Sequence, residues 1–147
     1  MFEVALEVKR TARVWIKENW TKTFPGKFVL IASEVLVHGS LCRAEDMRGY
    51  GWRIDFMARN ASRPYLIECD INKSSQDIWH TFKIIGYKAA YCIDWGLDPK
   101  TIGTMVMLHE RQYNHRVRNI LAYSKIEFCV FSEDNESWKM VRSSLWK

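Results

Sequence analysis

The sequence predicts an α/β fold in which a mixed central sheet is flanked by helices. Three observations support it. An amphipathic helical pattern covers residues 3–19, two alternating strand patterns follow at 51–58 and 64–71, and helical and strand-like segments then alternate towards the C-terminus. Alternating helices and strands are typical of sheets whose faces are covered by helices. A hairpin within such a sheet makes it mixed rather than purely parallel.

The N-terminal half is predicted to hold a helix, a segment of ambiguous type and a hairpin. In residues 3–19 the apolar side chains recur at helical spacing, while lysines and arginines occupy much of the remaining surface. Residues 27–38 fit either a helix that begins after a Pro-Gly pair or a strand rich in β-branched side chains, and 41–45 is a weak strand. The runs 51–58 and 64–71 alternate with period two and flank a turn, so they predict an antiparallel hairpin.

The C-terminal half is predicted to alternate helices with strands. A Ser and an Asp three residues apart form a capping-box pattern at the start of a helix over residues 74–91. An apolar strand is predicted at 104–108, followed by a basic helix over 111–122. A further strand over 125–131 and a final amphipathic helix over 134–146 complete the prediction.

Length and composition indicate one compact soluble domain. The chain has 147 residues, so we predict a single domain over 1–147, with residues 1–24 as an N-terminal helical addition or the first core helix. A hydrophobic fraction of 48% with 14% aromatic residues excludes a disordered chain. No apolar run approaches the ~20 residues of a membrane helix. The start Met-Phe-Glu shows no leader, so we expect a cytoplasmic, intracellular protein with no membrane partner.

The net charge indicates the kind of partner, and the spacing of the cysteines indicates their redox state. The 22 basic and 17 acidic residues give a net charge of +5, which makes a polyanion such as DNA a plausible partner. Arg111, His115 and Arg118 recur at helical spacing, so we predict that they contact phosphates; an ordinary solvated face is the alternative. The cysteines lack a C-x-x-C pair and are expected to be free thiols.

Three acidic residues of the predicted hairpin are the candidates for chemistry. Glu68 and Asp70 share one face by strand alternation, and an antiparallel partner strand brings Asp55 within about 5 to 8 Å of that face. Carboxylates gathered beside apolar strand residues are costly to leave unpaired. A hard cation such as Mg²⁺ or Mn²⁺ would compensate them. The alternative is a solvated polar face, paired with basic neighbours: Arg53, Arg63 and Lys73.

The segment 53–73 (RIDFMARNASRPYLIECDINK) carries a recognisable motif. It reads hydrophobic-Asp-Phe, a turn, two hydrophobic residues, Glu-x-acid and then a helix. This order resembles the PD-(D/E)xK or restriction-endonuclease-like nuclease superfamily, and it is also similar to its very-short-patch-repair-like branch. The resemblance implies an αβββαβ core over about residues 27–131 and hydrolysis of DNA phosphodiester bonds.

The resemblance also implies a set of metal ligands. Asp55 takes the place of the motif's Asp, and Glu68 takes the place of its second acid. Asp70 and the backbone carbonyl of Cys69 would complete a site for Mg²⁺ or Mn²⁺.

One catalytic position departs from the family pattern. Asp70 stands where the family usually has a lysine that stabilises charge on the phosphate. Lys73, or Lys83 on the following helix, would substitute, and we favour Lys83. The family's upstream acid would be Glu34 if 27–38 is helical, or Glu7 if it comes from the first helix.

The sequence therefore predicts a metal-dependent DNA endonuclease. The alternative is a non-catalytic nucleic-acid-binding protein on a decayed nuclease fold, because the expected lysine is missing. Nucleases that cut both strands are often dimers, so a homodimer stays open.

Overall fold

The computed structural model describes residues 11–24, 26–39, 52–71, 82–135 and 137–146. Residues 11–18 are helical and form the described part of α1. Two 3₁₀ turns, Pro99–Thr101 and Glu110–Gln112, flank the fourth strand. The remaining elements are α2 (Trp20–Thr23), β1 (Phe28–Val37), β2 (Trp52–Asn60), β3 (Arg63–Cys69), α3 (Lys83–Trp95), β4 (Gly103–His109), α4 (His115–Tyr123), β5 (Glu127–Asp134) and β6 (Ser137–Ser143).

The strands form one six-stranded mixed sheet in the order β1-β2-β3-β4-β5-β6. The β1–β2, β2–β3 and β5–β6 pairs are antiparallel, whereas β3–β4 and β4–β5 are parallel. Every residue of β4 is buried, as expected for a central parallel strand covered on both faces. The predicted α/β class, the mixed sheet and the β2–β3 hairpin are confirmed.

Two apolar clusters lie on opposite faces of the sheet. In the first, α1 and α2 bury Ile16, Trp20 and Phe24 against β2–β5 side chains such as Phe56 and Phe131. In the second, α3 and α4 cover the other face of the sheet. Its buried members include Ile54, Leu66, Ile84, Val106, Val117, Leu121 and Phe128. The result is a sheet between two helical layers.

Several predicted elements are wrong or shifted. Of the two alternatives left open for residues 27–38, the strand is correct and the helix is wrong, since β1 spans Phe28–Val37. The final helix predicted at 134–146 is wrong, because Ser137–Ser143 pairs with β5 as an edge strand. The basic helix begins at His115 rather than at 111, since Asn114 caps it by accepting a hydrogen bond from Val117 N.

Parts of the prediction fall outside the described residues. These are the first part of the N-terminal helix, the weak strand at 41–45 and the start of the helix predicted at 74–91, of which α3 is the described part. None of the helices within the described ranges is long and apolar enough to cross a membrane.

Candidate functional site

The ladder between β2 and β3 ends before the two strands do. The last paired residues are Phe56 and Ile67, whereas β2 begins at Trp52 and β3 continues to Cys69. Over the same stretch β2 stays paired with β1, and β3 stays paired with β4. The sheet therefore opens between its second and third strands. We call the gap beyond Phe56 and Ile67 the fork.

Two carboxylates occupy the fork and bond across it reciprocally. The backbone N–H of Asp55 donates to Glu68 Oε1 at 3.1 Å, and the backbone N–H of Cys69 donates to Asp55 Oδ2 at 2.8 Å. Each side chain thus accepts an N–H of the opposite strand, where a regular ladder would use backbone carbonyls. Asp55 and Glu68 are only 8% and 4% exposed, so these charge-assisted hydrogen bonds offset part of their desolvation.

Strand alternation breaks at Asp55. Ile54 packs in the second cluster and Phe56 in the first, although residues two apart on a regular strand share a face. The period-two alternation predicted for residues 51–58 is therefore wrong at Asp55. Glu34, which is level with Asp55 in the β1–β2 register, has a positive φ of 54° and an exposed side chain. The irregularity thus crosses both strands beside the fork.

An arginine from the first helix reaches the fork. Arg13 Nη1 lies 3.2 Å from Asp55 Oδ1, and the two side chains are 35% and 11% exposed. The contact joins positions 42 residues apart in the chain. Sequence reasoning placed Arg13 only on the basic surface of a helix, and no local spacing signals its pairing with Asp55.

The backbone of Asp70 is anchored just beyond the end of β3. Its N–H donates to Met107 O at 2.9 Å, and its carbonyl accepts from Gln112 Nε2 at 2.9 Å. Gln112 Oε1 in turn accepts from His109 N at 2.7 Å, so this buried amide ties the ends of β3 and β4 together. Sequence reasoning missed Gln112. The His-x-x-Gln spacing was the available signal, because His109 and Gln112 form a capping box here.

Only two of the predicted catalytic lysines and upstream acids, Lys83 and Glu34, lie within the described residues. Lys83 is half-buried and begins α3. Lys73 and Glu7 lie outside the described residues. Glu34 lies on the edge strand β1 rather than on a helix, so the helical placement that motivated its choice is wrong.

The predicted phosphate-binding residues do not share one helix. Arg111 lies in the Glu110–Gln112 turn, whereas His115 and Arg118 lie on α4. The break falls at Asn114, whose side chain starts α4 and separates the two segments. A common helical face for the three residues is therefore wrong, although each is exposed.

The donors at the fork fit a hard cation in type. Among the described residues, no group of three or more His, Cys, Asp and Glu side chains is arranged to hold a metal ion. The structure thus brings Asp55 and Glu68 together without forming such a group with Asp70. Mg²⁺ is usually bound by one or two carboxylates while it keeps several waters. The two carboxylates at the fork, Asp55 and Glu68, are oxygen donors of that type.

Comparison with known proteins finds similarity in structure only. No protein-family model matches the chain, and no curated protein is similar to it in sequence. The fold is similar to that of a fdxN element excision controlling factor protein from Anabaena variabilis, with a TM-score of 0.54 and 15% identity. That match covers 96% of this chain and 98% of the other.

A second solved structure shows the same relationship. An XisH family protein from Nostoc punctiforme matches with a TM-score of 0.53 and 8% identity, covering 92% of this chain and 96% of the other. At these identities the likeness shows the fold alone. It extends over nearly the whole of each chain.

Proposed function

We propose that this chain is a metal-dependent DNA endonuclease that hydrolyses phosphodiester bonds at the fork. The observation that carries the proposal is the pair of buried carboxylates, Asp55 and Glu68, which bond reciprocally where the sheet opens. They occupy the two acidic positions of the motif that resembles the PD-(D/E)xK superfamily. With α1 and the one-turn α2 counted as one helical element, the described elements to β4 also follow the αβββαβ order that the superfamily uses, although this helix lies before the predicted range 27–131.

The name of one structural neighbour supports a role on DNA. That protein is named for controlling excision of the fdxN element, and excision of a genetic element is a process that acts on DNA. The net charge of +5 is compatible with a polyanionic substrate, because basic residues gain affinity by releasing counterions from phosphates.

The proposed mechanism assigns roles to the residues of the fork. Asp55, Glu68 and the Cys69 carbonyl would hold Mg²⁺ or Mn²⁺, which when bound lowers the pKa of a water and stabilises charge on the phosphate. The hydrogen bonds from Cys69 N and Asp55 N fix the two carboxylates before substrate arrives. Arg13 holds the other oxygen of Asp55 and limits its rotation.

Asp70 and the nearby basic residues complete the proposal. Asp70 replaces the family's lysine, so a cation that contacts the scissile phosphate would come from Lys83 or Lys73. The hydrogen bond from Gln112 Nε2 holds the backbone carbonyl of Asp70 just beyond the end of β3. Glu34, level with Asp55 on β1, stays a candidate for the upstream acid.

A second candidate function is non-catalytic binding of nucleic acid on the same fold. The observation that favours it is the contact between Arg13 and Asp55, in which a side chain of the protein already supplies a cation to the fork. A decayed site would keep that arrangement as a structural ion pair and would have no use for a metal.

Incubation of supercoiled plasmid with the purified chain separates the two candidates. With Mg²⁺ or Mn²⁺ we expect nicked and linear products, and with EDTA we expect none. Asp55→Asn should abolish cleavage, whereas Asp134→Asn, a matched change at an exposed acid on β5, should cut normally. Retention of plasmid in a gel shift without cleavage in either metal would instead establish the binding protein.

A further inference from the structure

A cavity of about 670 Å³ opens between α4, β5 and the C-terminal end of β6. We call it the basic pocket. It lies within the size range of pockets that hold small molecules. Its lining residues include Tyr113, Arg118, Lys125, Phe128, Arg142 and Trp146.

Among the described residues that line the pocket, positive side chains outnumber negative ones. Arg118, Lys125 and Arg142 form no ion pair within the described part of the chain. Glu127 is the one carboxylate among the described lining residues, and it accepts a hydrogen bond from Ser144 Oγ. Three cations thus face one carboxylate, and such a concave cationic surface attracts anions.

Aromatic rings form the apolar side of the same pocket. The Tyr113 and Phe128 ring centroids are 5.3 Å apart, and the guanidinium of Arg142 lies 5.2 Å from the Tyr113 centroid. The ring of Trp146 packs edge-to-face against the ring of Phe28, with their centroids 5.1 Å apart. Phe128 is buried and supports Tyr113, whereas Tyr113 and Trp146 are half-buried, so only part of these two rings is open to a planar group.

We propose that the basic pocket binds a nucleotide. The phosphate is contacted by Arg118, Lys125 and Arg142, because guanidinium groups match phosphate oxygens in geometry and charge. The base packs against the aromatic side of the pocket, where stacking is tolerant of base identity. The same chemistry serves a free nucleotide and a nucleotide of single-stranded DNA.

The pocket is separate from the fork. Glu68 pairs with Val106 and Val106 with Phe128, so the two sites lie two strands apart, about 10 Å between backbones. Nucleotide binding therefore does not depend on the nuclease proposal. A failure of either one leaves the other intact.

Calorimetric titration of the whole chain with four probes tests the ligand chemistry. The probes are inorganic phosphate, deoxyadenosine, deoxyadenosine monophosphate and a short single-stranded oligodeoxyadenylate. We expect the monophosphate or the oligonucleotide to bind about tenfold more tightly than phosphate or the nucleoside, since only they engage both sides of the pocket. The tighter of the two identifies the source. Equal binding of phosphate and nucleotide, or no binding of any probe, overturns the proposal.

A pair of double variants assigns the binding to the pocket. Arg118→Gln with Arg142→Gln removes two lining cations, and Arg116→Gln with Lys139→Gln removes two exposed cations from the same elements outside it. We expect the first to weaken binding about tenfold or more and the second to leave it nearly unchanged. Thermal unfolding of both variants confirms the fold. An equal loss in the two would show general electrostatic attraction and overturn the site.

Discussion

The fork and the basic pocket handle charge in opposite ways. At the fork the carboxylates of Asp55 and Glu68 are buried, and each already accepts a backbone N–H from the opposite strand. One oxygen of Asp55 also contacts Arg13. In the pocket, three cations surround an open cavity and have no carboxylate partner among the described residues.

The difference follows from solvation. A buried carboxylate must be compensated by the protein, because its desolvation costs several kcal/mol otherwise. Cations beside an open cavity remain hydrated and need no partner for stability. A ligand at the fork must therefore join or displace existing partners, whereas a ligand in the pocket only has to replace water.

Removing either carboxylate of the fork should have the largest effect. We expect Asp55→Ala and Glu68→Ala each to reduce cleavage on the order of 10³-fold or more, since metal-assisted charge stabilisation is worth several kcal/mol. DNA binding should be intact or slightly tighter, because a negative charge near the phosphates is lost. Plasmid cleavage and gel-shift titration measure the two effects. The isosteric changes Asp55→Asn and Glu68→Gln control for altered packing. Cleavage by either alanine variant at the parent rate would assign the activity elsewhere.

When Arg13 is removed from the fork, binding of Mn²⁺ at Asp55 should become measurable as an increase in the free energy of unfolding. Arg13→Gln leaves Asp55 without its arginine, so we expect a loss of about 1 to 2 kcal/mol in the free energy of unfolding without metal. Mn²⁺ should restore part of that loss, because a ligand that binds only the folded state stabilises it. Denaturant unfolding with Mn²⁺ or EDTA measures this. Arg59→Gln, at an exposed arginine on β2, is the control. The same Mn²⁺ response in Arg13→Gln, the control and the parent would contradict a metal site at Asp55.

The sequence predicts the hairpin and its acids but not the fork between them. Alternation and turn residues are local, so β2, β3 and the positions of Asp55 and Glu68 follow from short windows. The end of the ladder depends on side chains that compete with backbone carbonyls for N–H groups across the strands. Arg13 and Gln112 each bond to a residue 42 positions away, which no periodicity encodes.

The error at β6 has a different cause. Trp138, Val141 and Leu145 recur at spacings of three and four, which suits a helix. In the structure Trp138 and Met140 pack on the first cluster, with the period of a strand, because the segment pairs with β5. The short apolar pattern fits both periods, and the available sheet edge decides between them. The same pairing creates the side of the basic pocket that holds Arg142.

The residues predicted to contact phosphates lie in two different regions of the structure. Arg118 lines the basic pocket, whereas Arg111 lies in the Glu110–Gln112 turn that follows β4. We expect the triple change of Arg111, His115 and Arg118 to Ala to weaken binding to all DNA sequences and to flatten its salt dependence. Each lost phosphate contact removes roughly 0.9 from the log–log slope on duplex DNA.

Single variants at Arg111 and Arg118 then show which group contributes. Fluorescence anisotropy at several salt concentrations measures the slope for each variant. If DNA spans both regions, the two single changes should lower the slope equally and add in the triple variant. A slope that none of these variants changes would show that DNA, if bound, lies on another surface.

The smallest expected effect comes from the thiol of Cys129, which follows the pocket-lining residue Phe128 on β5. Burial raises the pKa of Cys129 to about 12, and its Sγ contacts Ser143 Oγ across the β5–β6 pair. The folded state therefore keeps this proton above pH 9, where the unfolded chain releases it. Stability from this group is complete below about pH 9 and falls as pH rises towards 12.

Comparison of the parent with Cys129→Ala isolates this contribution. The parent should lose less than about 1 kcal/mol more than the variant between about pH 8 and pH 9.5, measured by denaturant unfolding. Iodoacetamide at about pH 8 should leave Cys129 unmodified in the folded chain, since the thiolate is the reactive form. Rapid labelling of Cys129, read by peptide mass spectrometry, would mean that β5 and β6 separate readily. The aromatic and basic sides of the pocket would then not be held in place, and the contrast with the hydrogen-bonded fork would lie in rigidity rather than in charge.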